Sequence, residues 1–142
     1  MEGGEDMSDC IFCKIVSGDI PCAKVYEDEH VLAFLDINPL MPGHTLLIPK
    51  KHAETIFDMS PAEGAACGAA LPKVASAVFK AMGAEGMNIL QNNHEISGQE
   101  IFHVHFHLMP RKTGDGFKVP WPAKQYGPGE MEAVLEKIRK AF

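Results

Sequence analysis

The sequence predicts an α+β domain of about five mostly antiparallel strands, one long helix and a short C-terminal helix. Three observations carry this reading. Three histidines alternate with Val104, Phe106 and Leu108, a period of two that belongs to a β-strand. Ser60-Pro61-Ala62-Glu63 sets a capping serine before a proline suited to the first turn, with a glutamate to close a capping box, and so opens a helix running to about Met82. Short apolar runs punctuated by Gly, Pro, Asn and Asp supply the remaining strands.

Taken in order, residues 1–8 are acidic and contain glycine, which predicts a flexible tail and leaves 9–142 as a single domain. Cys10 to Ser17 places Phe12, Ile15 and Val16 at helical spacing before Gly18, a short helix. Ala23 to Glu27 and Val31 to Asp36 read as strands around the turn Asp28-Glu29-His30. Two prolines and a glycine make Asn38 to Gly43 a loop, and His44 to Pro49 is a strand of the buried type. Pro72 interrupts the long helix and predicts a kink, while Gly68, Ala69, Ala70 and Ala75 offer the sheet a small-residue surface. Met87 to Asn92 is a strand, Asn93 to Gln99 a loop, and Ile101 to Pro110 the histidine-bearing strand. Lys112 to Gly129 is irregular. Glu130 to Ala141 is amphipathic, with Met131, Val134, Leu135 and Ile138 on one face.

Composition narrows the function classes. The formal net charge of −6 argues against a general nucleic-acid binder, which needs a basic face, but leaves room for a mononucleotide. No apolar run approaches the ~20 residues that span a bilayer, and no signal-peptide pattern opens the chain. Four unevenly spaced cysteines do not make a secreted disulfide framework, so a cytoplasmic location is expected.

On a strand, His103, His105 and His107 share one face with neighbouring imidazoles roughly 7 Å apart. Such a cluster is either a solvated face, a metal site, or a nucleophile with its helpers; a neutral imidazole is a good nucleophile near neutral pH. His105 is the one flanked on both sides. Cys10-x-x-Cys13 is half of a metal site or a redox pair, and no βαβ pattern supports the redox reading. Gly98 lets backbone N–H groups approach an anion, and Gln99 adds a side-chain donor.

His103-Val104-His105-Phe106-His107-Leu108-Met109 resembles the signature of the histidine triad (HIT) family, His-φ-His-φ-His-φ-φ with φ apolar. Asp9 to Ile15, Ala33 to Ile37, Gly43 to Leu46 with His52, and Asn92 to Gln99 resemble that family in the same order, and its prokaryotic nucleotide-binding branch most. The resemblance implies a HIT-like fold, a homodimer, and hydrolysis or transfer of purine nucleoside phosphoramidates or aminoacyl-adenylates through a nucleotidyl-histidine on His105. His107 would contact the phosphate and the scissile bridge, and Gln99 would lie near the scissile group. Phe34, Asp36, Ile37, Asn92 and Gly98 would line the nucleotide site, with Asp36 on the ribose and Phe12, Ile15 and Ile20 as apolar walls. Cys10, Cys13, His52 and His103 would hold a structural zinc, and His44 would support the site. Two departures stand out: Glu100 replaces a common Ser or Thr, and His94 a common Gly. Dinucleoside polyphosphate hydrolysis and a non-catalytic nucleotide-binding role are the alternative readings.

Overall fold

The computed structural model describes residues 9–118 and 121–142; the expected tail at 1–8 lies outside them. α1 (Ile11–Ser17) is followed by β1 (Lys24–Glu27), β2 (Val31–Leu35), β3 (Thr45–Pro49), α2 (Pro61–Ala81), β4 (Gly86–Gln91), β5 (Phe106–Arg111) and α3 (Glu130–Lys140). The strands form one antiparallel sheet in the order β1-β2-β3-β5-β4. This is the expected α+β architecture with one long helix and a short C-terminal one.

β2 and β3 are apolar at nearly every position because both faces of the sheet are covered there. On one face Val31, Ala33, Leu47 and Leu108 meet Cys67, Ala70, Val74 and Val78 of α2. On the other, Leu32, Phe34, Leu46 and Ile48 meet Cys10 and Phe12. α2 begins as the sequence predicts, Ser60 accepting from the Glu63 N–H while Glu63 accepts from the Ser60 N–H. It continues through Pro72. Its buried stripe is Cys67, Ala70, Val74 and Val78, so Gly68 and Ala69, expected against the sheet, face solvent instead.

The histidine-bearing strand is shorter than expected. β5 begins at Phe106, and 101–105 approach it as irregular chain. The reason lies in their hydrogen bonds: the Val104 N–H donates to Ala53 O, outside the sheet. Among the described residues no helix is long and apolar enough to cross a membrane.

Candidate active site

Three of the chain's histidines, His44, His105 and His107, and one carboxylate, Asp36, meet where β3, β5 and the 101–105 segment converge. His107 is placed by the sheet itself, since its register partners are Leu46 of β3 and Leu90 of β4. It therefore shares the face of Leu46, Phe34 and Phe12. His105, one step outside the ladder, tilts toward it, and the ring centroids lie 4.9 Å apart. That is closer than strand geometry alone predicts. Phe12 contacts His105 edge-on at 5.2 Å and Phe34 at 5.6 Å, so α1 forms an aromatic wall beside the imidazole.

Hydrogen-bond partners settle which ring nitrogens carry protons. His105 Nδ1 lies 2.7 Å from His103 O. A carbonyl only accepts, so Nδ1 holds the proton and Nε2 keeps its lone pair. The opposite arrangement is imposed on His107. The Leu40 N–H donates to His44 Nδ1 at 3.1 Å, which puts the His44 proton on Nε2. That Nε2–H donates to His107 Nδ1 at 2.9 Å, so His107 carries its own proton on Nε2. One imidazole thus offers a lone pair and its neighbour an N–H. His52 Nε2 is the one fully buried side-chain nitrogen or oxygen without a partner among the described residues, so the unpartnered Nε2 atoms of His105 and His107 reach solvent.

Burial keeps these rings neutral. It lowers the pKa of His105 and of His44, and it holds His107 at about 4, where the neighbouring His105 and His44 add to the effect. Asp36 opposes this weakly on all three. Its carboxylate accepts from the Asn38 N–H at 2.9 Å and lies 3.8 Å from His44 Nε2.

Asp36, His44 and His107 bring donor atoms within 4.8 Å of one another, a separation a metal could bridge. The Leu40 bond argues otherwise. With Nδ1 of His44 already accepting an N–H, ligation through Nε2 would require an imidazolate. Within the trio His44 is hydrogen-bonded to His107, and the Asp36 carboxylate stands by as a nearby charge.

A second cluster is able to hold a metal. Ligand atoms of Cys10, Cys13, His52 and His103 also lie within 4.8 Å of one another. His103 Nε2–H donates to Pro49 O at 2.8 Å, which turns the Nδ1 lone pair toward the sulfurs of Cys10 at 3.3 Å and Cys13 at 3.6 Å. Cys13 Sγ is 3.3 Å from His52 Nδ1. Tetrahedral zinc with Zn–N and Zn–S bonds of about 2.0–2.3 Å separates such atoms by about 3.5 Å. The donor set and its spacing fit.

The other sequence-selected residues divide. Phe34 is buried in the wall next to Phe12, whereas Ile37 is 86% exposed beyond the end of β2. Asn92 follows β4, half-buried, with a side-chain amide that bonds no described residue. Gly98 sits at φ +107°, and a Cβ there would approach the Asn92 amide to 3.3 Å, so the glycine is needed. The resemblance places Gln99 near the scissile group. Its side chain ties the loop down, donating to Glu54 O and Ile101 O and accepting from the His94 N–H. His94 stacks on Phe57 with centroids 5.9 Å apart and is exposed, as a loop histidine should be. Sequence reasoning missed the carbonyls of Pro49 and His103 and the N–H of Leu40; backbone groups leave no residue-type signal.

The sheet, its covering helix and these paired imidazoles define a histidine triad protein. The chain belongs to the HIT family: the HIT domain model matches residues 17–114. Adenosine 5′-monophosphoramidase hnt1 of Schizosaccharomyces pombe is 47% identical over 130 residues, 91% of this chain and 95% of that protein. A crystal structure from Streptococcus mutans superposes with a TM-score of 0.92 at 46% identity, covering 97% of this chain and 88% of that one. A zinc-bound histidine triad family protein from Mycobacterium smegmatis aligns with a TM-score of 0.74 at 36% identity, covering 96% of this chain and all of that one (100%).

Proposed function

We propose that the protein hydrolyses purine nucleoside 5′-phosphoramidates and related aminoacyl-adenylates through a nucleotidyl-histidine on His105. The observation that carries this reading is the complementary pair of tautomers, a lone pair on His105 Nε2 beside an N–H on His107 Nε2. In the first half-reaction His105 Nε2 attacks the α-phosphorus and forms a P–N bond while the P–N bond to the amine breaks. The amine leaves with the electron pair of that bond and with a proton that enters from solvent at His107 Nε2. In the second, water attacks phosphorus and the bond to His105 breaks, its pair returning to Nε2. The water's proton goes back to solvent and the nucleoside monophosphate departs.

Asp36 would accept from the ribose, Phe34 with Phe12 would wall the base on one side, and Ile37 would close over it. The free amide of Asn92 would reach sugar or phosphate oxygens, and Gly98 would open the loop to the phosphate. Gln99 would act by holding that loop. The charged neighbours of these imidazoles favour a singly charged phosphoramidate over a polyphosphate, because the carboxylate of Asp36 acts on all three and no lysine or arginine does.

Zinc in the Cys10, Cys13, His52 and His103 cluster would be structural, closing four ligands and fixing α1 to the approach to β5. A homodimer is supported by the free edge of β4, by exposed Ile89 and Phe79, and by the uncovered apolar stripe of α3. The absence of a disulfide among the described cysteines suits a reducing cytoplasm.

The test is amine release from adenosine 5′-phosphoramidate. Wild type should turn over steadily, and His105→Ala should lose about a thousandfold or more in kcat. AMP binding without turnover would leave the nucleotide-binding role; near-normal turnover by the variant would remove His105 as nucleophile.

A further inference from the structure

We infer that the residues of the Cys10, Cys13, His52 and His103 cluster position the nucleophile. A metal joining these four ligands holds the His105 ring ready for attack, and so raises kcat far more than nucleotide affinity. The inference rests on the hydrolase reading above and gives the metal no part in bond making.

β5 begins at Phe106, so the sheet does not hold His105. The peptide group between His103 and Val104 does. Its carbonyl accepts from His105 Nδ1–H at 2.7 Å, and its N–H donates to Ala53 O at 2.8 Å. Both ends of this joint adjoin cluster ligands: the carbonyl belongs to His103, and Ala53 follows His52. The third hold is Phe12, whose ring meets His105 edge-on at 5.2 Å and His103 at 5.8 Å. Phe12 lies between Cys10 and Cys13. Every group that orients the nucleophile is therefore part of a cluster ligand or next to one.

The joint is dry, with His103 and Val104 0% exposed, so solvent does not compete for these hydrogen bonds. His103 has an anchor of its own in Pro49 O, but His52 does not. The only hydrogen bond of His52 among the described residues is to Cys13 Sγ, at 3.3 Å, and its Nε2 is buried without a partner. Metal bonds would fix the spacing of the four ligands, where otherwise weak S···N contacts set it. Without them Phe12, Ala53 O and the His103 carbonyl all loosen, and a misplacement of about 1 Å costs on the order of a hundredfold in rate. Asp36, Asn92 and Gly98, which would meet the sugar and phosphate, carry none of the ligands, so binding should change little.

The test compares zinc-loaded with chelator-stripped protein at neutral pH, at a temperature where circular dichroism shows both folded. Stripping should lower kcat for adenosine 5′-phosphoramidate by about 10–100-fold, change the AMP Kd by less than about threefold, and be reversed by zinc. NMR of 15N-histidine-labelled protein should show His105 as a single Nδ1–H tautomer when loaded and as exchanging forms when stripped. His52→Asn keeps three ligands and should bind zinc more weakly, its kcat rising with zinc occupancy; it serves the same comparison if the stripped wild type unfolds. Val74→Ala weakens the core on the opposite face of the sheet, and should lower Tm yet keep kcat, which separates positioning from stability. A folded, metal-free protein with unchanged kcat, an AMP Kd that rises as far as kcat falls, or an equal loss of kcat in Val74→Ala would overturn the inference and leave the hydrolase reading standing. Failure of the zinc-loaded wild type to release amine would bring down the hydrolase reading itself, and the His105 signals would still decide whether the cluster orients that ring.

Discussion

His107 is kept neutral by its surroundings, and the consequence is measurable. Its pKa falls from an ordinary 6.5 to about 4, chiefly through burial, and that of His44 moves the same way. Below about pH 6.5 the unfolded chain takes up protons that the folded chain refuses, so the stability these rings confer is complete above that pH. It is lost progressively as pH falls toward 4. Unfolding midpoints in denaturant across pH 4 to 7 should show this slope, and His107→Asn should flatten it. The triad itself was legible in the sequence, since alternation and residue type suffice to group His103, His105 and His107. Their division of labour was not. It depends on which carbonyl or N–H each ring meets, and residue types do not encode that. His44 illustrates the point: the sequence supports a helper there, but its bond to a residue 63 positions away exists only because β3 pairs with β5.

At the scale of elements, the loop between β4 and the histidine segment carries a local conflict. His94 has φ 72° and ψ 159°, the only positive φ outside glycine among the described residues. That region is nearly reserved for glycine and costs a side chain about 1–3 kcal/mol. His94→Gly should therefore raise stability by about 1 kcal/mol, the relief being partly offset by the lost stack on Phe57 and by glycine's greater freedom when unfolded. Thermal unfolding of the variant checks this, and a fall in Tm would mean the stack outweighs the strain. Elements with strong local signals were read well. The capping box at Ser60 located the start of α2, and the apolar run from His44 to Pro49 announced β3 as a buried strand. The start of β5 was not legible, because Val104 continues the alternation perfectly while its N–H goes to Ala53.

For the whole molecule, the Cys10, Cys13, His52 and His103 cluster joins the first helix, the chain just past β3 and the approach to β5. Zinc bound there would bind the folded state alone and stabilise it by linkage. Elemental analysis should find about one zinc per chain, and a strong chelator at neutral pH should lower Tm by ~5 °C or more. Cys13→Ser should be less stable and no longer respond to the chelator. A wild type indifferent to chelation would mean that the thiols and imidazoles hold one another without metal.

The strand order has a consequence for how the chain acquires its fold. β5 is the last strand synthesised, yet it occupies an interior place, between β3 and β4. The sheet cannot be assembled by adding each new strand to the growing edge. β1, β2 and β3 can form a meander early, but β4 has no strand neighbour until β5 has been made, and β5 must then pair with both β4 and β3. A nascent chain can lay α2 on β2 and β3, but it must hold β4 unpaired until the histidine segment emerges. The step that completes the sheet is then the same step that seats His107, so no partly folded form carries a working site.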